Sequence, residues 1–197
     1  MKKSNLSLLV VAFSMLFVGA GCSYEASVGE VKDLPLPVRE VKEVTVADKS
    51  GNFNISGTIA EDWVEDKEAD PRVLTMFLSP TSETDTFRES INVMGFLFAE
   101  GEAEMTLDEN VDSSLTGLDQ DPGYKFLSRT SGTIGGYPAI TVVYQVDSAT
   151  ARRRVQFEQT FFKTEKEFYM VTFAATPESA VEFEQDYQDF LKSISVK

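Results

Sequence analysis

Six carboxylates crowd one stretch of the chain, Glu61, Asp62, Glu65, Asp66, Glu68 and Asp70. Carboxylate oxygens are the ligands a hard divalent cation such as Ca²⁺ takes. Acids at this density also mark a solvated loop, which is the expected state here; Glu61, Asp62, Glu65 and Asp66 are the weak candidates for a cation. Asp119-Gln120-Asp121-Pro122-Gly123 begins like a calcium loop, but the twelfth position, where a bidentate acid is needed, falls on Thr130. Arg152-Arg153-Arg154 is the basic run of an acidic chain. If it opens a strand, Arg152 and Arg154 share a face with Gln156, Glu158 and Thr160, and Arg153 shares the other with Val155 and Phe157. Arg152 and Arg154 are therefore candidate contacts for an anionic partner, the alternative being cross-strand pairing with local acids. Trp63 stands in the acidic stretch, either to stack on a partner or ligand or to pack against a sheet edge. Gly132, Gly135, Gly136 and Pro138 read as a turn rather than a phosphate cradle, because no helix with Lys or Ser/Thr follows them.

Absences exclude more. The 197 residues contain no His and one Cys, so an internal disulfide, a zinc site built on His or several Cys, and any triad with an imidazole base are ruled out. No spacing pairs a nucleophile with another base, so the chain is expected not to be an enzyme and to carry no cofactor. The formal charge is −14, from 18 Lys and Arg against 32 Asp and Glu. That balance argues against a nucleic-acid partner, whose phosphates attract a surplus of cations.

The one Cys, Cys22, closes a distinctive start. Met1-Lys2-Lys3 is positive, residues 6–18 are almost wholly apolar, and Gly19-Ala20-Gly21 are small. This is a secretory signal layout, and its apolar run of roughly 13 residues is short of the ~20 that span a bilayer as a helix. The junction resembles a bacterial lipoprotein signal, in which the Cys is lipidated and becomes the first mature residue; Gly19 departs from the aliphatic residue usual three positions before it. Cys22 is thus expected to be the lipidation site, anchoring the protein to a membrane in the cell envelope on its extracytoplasmic side. Loss of residues 1–21 takes away Lys2 and Lys3 but no acid and leaves −16, so the domain should stand off an anionic lipid surface.

Residues 22–49, with Pro35, Pro37 and mixed charges, read as a flexible linker whose valines Val38, Val41, Val44 and Val46 can dock its end on the domain. Residues 50–197 form that domain. Period-two patterning predicts a strand near residues 53–59, an edge or connecting strand at 124–129, and a meander of 139–146, 153–162 and 168–175, while the runs 73–78 and 93–98, apolar at nearly every position, fit central strands covered on both faces. Glu100, Glu102 and Glu104 alternate as on an extended segment. A capping box, Thr106 with Glu109, opens a helix through Leu107, Val111, Leu115 and Leu118. Thr176 as N-cap and Pro177 open another, with the stripe Ala180, Phe183, Tyr187, Phe190, Leu191 and Ile194. A short helix is possible around residues 84–89.

From Gly51-Asn52-Phe53-Asn54-Ile55 onward the order of motifs is similar to that of PsbP-like and DcrB-like domains. The matching points are Trp63, Asn92-Val93, Gly135-Gly136-Tyr137-Pro138-Ala139, the strand Phe168-Tyr169-Met170-Val171-Thr172-Phe173 and the helix end Phe190-Leu191-Lys192-Ser193-Ile194. Glu61-Asp62 stands where the family usually has a Pro ahead of the Trp. The resemblance implies an α+β fold, an antiparallel sheet flanked by helices in an α-β-α sandwich, and an accessory role beside a larger assembly. The leading expectation is a binding module for an envelope protein, docking through an exposed sheet edge or the loops around Trp63. The alternative is a small-ligand or divalent-cation lipoprotein that uses the acidic loops.

Overall fold

Alternating apolar and polar residues become strands over most of the domain. The computed structural model describes residues 39–47, 53–67, 69, 72–81, 87–99, 101–148 and 151–197. In chain order these form β1 (Val41–Ala47), β2 (Asn54–Ala60), β3 (Val64–Glu65), β4 (Thr75–Leu78), β5 (Ser90–Leu97), α1 (Leu107–Ser114), β6 (Lys125–Ile134), β7 (Tyr137–Ser148), β8 (Arg153–Lys163), β9 (Glu167–Ala175), α2 (Ala180–Ser193) and β10 (Ser195–Val196). The expected signal segment, Cys22, the expected linker up to residue 38, residues 48–52, Glu68, Asp70, Glu100 and half of the expected short helix at 84–89 lie outside the described residues; its described half, residues 87–89, is not helical.

One antiparallel sheet runs in the order β3-β4-β5-β9-β8-β7-β6, and a smaller one in the order β1-β2-β10. On one face of the large sheet Phe77, Ile91, Val93, Phe162, Tyr169, Val171 and Phe173 pack against Phe183, Tyr187, Phe190 and Leu191 of α2 and against Ile55 and Ile59 of the small sheet. On the other face Ile140, Val142, Tyr144, Phe161 and Phe168 receive Val111, Leu107 and Leu115 from α1 and its end. The architecture is the expected α+β sandwich with an antiparallel sheet between helices. Cross-strand partners stack: Phe162 opposes Tyr169 in the register, with ring centroids 4.9 Å apart and planes 10° from parallel. Each such side chain contributes ~1.5–3 kcal/mol by leaving water.

Four expectations change in detail. The end of the expected linker is a strand: β1 pairs along its whole length with β2, because Val46, 3% exposed, and Val44 turn into the core while Glu43 and Thr45 face outward. The C-terminal helix starts at Ala180 with Ser179, not Thr176, at its N-cap. Thr176 Oγ1 instead accepts the Ser179 N–H at 3.1 Å, and the Thr176 carbonyl accepts Ala180 N–H at 2.9 Å, so residues 176–179 close a turn that delays the helix. Glu102 and Glu104 lie in a turn rather than an extended segment, with Glu102 Oε2 accepting the Ala99 N–H at 2.8 Å. Arg152 precedes β8 in a turn, at φ 51°. The capping box at Thr106 and Glu109 forms as expected. So does the glycine turn: Gly135 and Gly136 have φ of 57° and 88° and join β6 to β7, as a two-residue hairpin loop with two positive φ values requires.

Candidate functional site

The end of the sheet where β4 stops, β5 and β8 start and α2 begins encloses a cleft of about 440 Å³. Its walls carry Arg39, Phe87, Glu89, Arg153, Ser179 and Phe183 among others. Two guanidinium groups lie over aromatic rings there: Arg39 is 5.3 Å from the Phe183 centroid and Arg153 is 5.7 Å from that of Phe87. Stacking of this kind fixes a guanidinium plane. Arg39 is also held by Asp186 at 3.0 Å and Asp62 at 3.3 Å.

Trp63 supports this wall from behind and does not line it. Its relative exposure is 0%, so it has no face for a partner or ligand, and packing is the role the structure gives it. The indole N–H donates to Asp186 Oδ2 at 2.9 Å, and the ring meets Phe183 edge-on with centroids 5.8 Å apart. Burial pushes the Asp186 carboxyl above its ordinary value, while the indole N–H and Arg39 draw it back. The chain Trp63, Asp186, Arg39, Asp62 thus ties the first acidic loop to α2 and to the residues preceding β1.

The basic run is divided. Arg154 makes two bonds to Asp147, of 2.9 and 3.0 Å, from the position directly opposite it on β7, which is the cross-strand pairing alternative. Arg152 is exposed in the turn. Arg153, assigned by alternation to the apolar face, is the member that reaches the cleft. Of the cation candidates, Asp62 is engaged with Arg39, and Glu65 lies 3.4 Å from Thr75 Oγ1. Glu61 is exposed, and the backbone N–H of Asp66 is bonded to the Met76 carbonyl. Among the described residues no three acidic, Cys or His side chains gather as a metal would require, because strand geometry spreads Glu61 to Asp66 along a turn and a short extended segment.

A second surface lies at the other side of the large sheet. β6 is its last strand, and no described strand pairs with its outer edge. Of its ten residues only Ile134 is buried; Phe126 and Leu127 are 53% and 38% exposed. A register shift between Phe126 and Ser128 interrupts the pairing near its start. From Ser128 to Thr133 the strand has neither Pro nor Lys, the residues that natural edges use to discourage pairing. Beside it, Arg129 bonds Asp108 at 2.8 Å and Asp112 at 2.5 Å on α1.

A meander-built antiparallel sheet with a helix on each face is the PsbP-like fold. Solved structures share it. LpqN of Mycobacterium tuberculosis, involved in cell envelope biogenesis, superimposes with a TM-score of 0.62 at 11% identity, over 81% of this chain and 92% of LpqN. The cyanobacterial PsbP, CyanoP, of Synechocystis gives 0.55 at 11% identity over 87% of this chain and 98% of its own. PA94 of Pseudomonas aeruginosa, a protein of unknown function, gives 0.51 at 18% identity, over 74% and 91%. No protein-family model matches the sequence, and no curated protein is significantly similar to it. Among the described residues no helix is long and apolar enough to cross a membrane.

Proposed function

We propose that the protein is a lipid-anchored, extracytoplasmic module that acts by binding rather than by chemistry, docking on an envelope protein through the outer edge of β6. The observation that carries this reading is the edge itself, ten residues with all but one side chain at least partly exposed and no described partner. An unpaired edge supplies a row of N–H and C=O groups that another extended segment can complete. The kinship of fold with LpqN and CyanoP supports an accessory role. Trp63 itself loses its claim as a contact, since that ring is buried. A small ligand, the second reading, would enter the arginine-bearing cleft rather than the acidic loops, where the described carboxylates do not converge.

The anchor and the edge are tested separately. Cys22→Ala should move the protein from the membrane to the soluble fraction; retention of that variant in the membrane would contradict lipidation. A photoreactive residue at position 131, on the β6 edge, should capture one reproducible protein in intact cells, whereas the same probe at position 181, 75% exposed on α2, should not. Capture of lipid alone, or equal capture from both positions, would sink the docking reading.

A further inference from the structure

The charges flanking β6 say what kind of strand it would accept. Residues 128–134 alternate between two sides of the sheet. Arg129 lies on the α1 side, as its bonds to α1 show, and Ser131 and Thr133 join it there at the two-residue period. Thr130 lies on the α2 side, in the row Thr130, Thr141, Thr160 that ends under Tyr187. An added strand therefore passes α1 with every second side chain. There it meets Asp108 and Asp112, 73% and 68% exposed and sharing a single guanidinium. Glu109 is turned away in its capping box with Thr106, and α1 has no base in its last turn. The excess is negative in a chain whose net charge is already −14.

We infer that the strand received at β6 is an extended segment of a partner protein with Lys or Arg at alternate positions, its basic side chains lying on the α1 side against Asp108 and Asp112. This rests on the reading of β6 as the docking edge. A second copy of the chain is the wrong occupant. Antiparallel pairing of β6 with itself runs about a two-fold axis normal to the sheet, which keeps both α1 helices on one face and sets Asp108 and Asp112 against their own copies. Residues 23–38 are also wrong, with Glu25, Glu30 and Asp33 against Lys32. The partner strand's opposite side meets the hydroxyls of Ser128 and Thr130 and, at the start of β6, the exposed Lys125, so it does not call for basic residues.

The test uses the full-length protein in non-ionic detergent and three labelled, photoreactive peptides of equal length that alternate Thr with Lys, Gln or Glu. Fluorescence anisotropy should show the Lys peptide binding at least about tenfold tighter than the Gln peptide. Its photocrosslinks should map to residues 125–134, and its advantage should largely vanish in the double variant Asp108→Asn, Asp112→Asn. Both side chains are exposed, so that variant should keep its far-UV circular dichroism. An advantage unchanged in the double variant, or crosslinks elsewhere, means diffuse attraction to an acidic protein and overturns the inference. Equal or tighter binding of the Gln or Glu peptide at β6 overturns the charge assignment and leaves edge docking intact. Crosslinks from position 131 to residues 23–38 or to a second copy overturn the proposed occupant. Failure of position 131 to capture any protein in cells removes the docking reading itself.

Discussion

Glu158→Gln should stabilise the protein at pH 8 by about 2 kcal/mol and leave its stability at pH 4 almost unchanged. Glu158 is 7% exposed on β8, beneath α2, where burial first and the Glu184 carboxylate second push its pKa up to about 7 from an ordinary 4.5. Gln188 Nε2 donates to it at 2.8 Å, a bond that favours the charged form but does not outweigh the burial. The folded state therefore holds a proton that the unfolded chain gives up between pH 4.5 and about 7. Stability from this group is full below the lower value and is lost as pH climbs toward the upper one. At ~1.4 kcal/mol per pH unit the interval bounds the effect at about 3.5 kcal/mol, and residual solvation of the carboxylate reduces it to about 2. Gln keeps the shape and can still accept from Gln188, but is neutral at every pH, so the variant recovers what the wild type loses. For a chain of this size the gain is roughly 4–8 °C in Tm. Carboxylates remote from the site are common to both proteins, so the difference between them isolates Glu158 together with its coupling to Glu184. A gain equal at pH 4 and pH 8, or no gain at pH 8, would show that Glu158 is ionised without cost in the fold.

The sheet was legible because its strands advertise themselves locally. β7, β8 and β9 are long runs with short polar connections, and their meander order leaves little choice of pairing. The capping box at Thr106 and the paired glycines at 135 and 136 are likewise local chemistry with a single reading. β1 was harder. Its valines alternate, but Pro35 and Pro37 and the mixed charges around them give the composition of a linker, and its partner β2 is needed to make Val44 and Val46 a buried face. The start of α2 was displaced for a related reason. Thr176 and Pro177 suit a helix N-terminus, yet Ser179 offers a second hydroxyl that bonds to Thr176 and holds a turn in between.

The site was legible only as neighbourhoods. The loop at Trp63 and the run at Arg152 to Arg154, roughly ninety residues apart in the chain, do meet at one cleft, but through Arg39, which Asp62 holds as an ion-pair partner rather than as a cation ligand, and through Arg153 rather than Arg152 or Arg154. Alternation put Arg153 on an apolar face and so hid it. What the pattern of charges lacks is the aromatic partner: Phe87 and Phe183 give each arginine a surface to lie on, so that its long stem is buried and its guanidinium stays near water. Nothing in the linear sequence pairs Arg39 with Phe183 or Arg153 with Phe87. The β6 edge was half visible: a strand beginning at residue 124 was expected, but its extension to Ile134 depends on register with β7.

Trp63→Ala should cost about 4 kcal/mol, enough to threaten folding in a domain whose total stability is on the order of 5–15 kcal/mol. The chain's only Trp is wholly buried, and truncating it removes an indole's contacts and leaves a cavity beside Phe183 that the surrounding β-strand and helix cannot collapse to fill. Core Trp truncations commonly cost about 3–5 kcal/mol. A polar loss adds to this, because the indole N–H is the donor that helps keep the Asp186 carboxylate charged in a site where burial disfavours it. Arg39 remains its partner at 3.0 Å, which moderates that penalty. Trp63→Phe separates the two contributions: it retains most of the packing and loses the donor, so it should cost only about 1–2 kcal/mol. Urea unfolding monitored by far-UV circular dichroism measures both variants, since neither keeps an indole for fluorescence. If Trp63→Ala costs less than about 1.5 kcal/mol, the ring is not the buttress of the cleft wall, and an exposed contact at Trp63 returns to consideration. If the two variants cost the same, the hydrogen bond to Asp186, rather than the packing, is what the position supplies. The expected ordering, a large loss for Ala and a small one for Phe, is that of a Trp whose work is to hold Phe183, Asp186 and Arg39 in place.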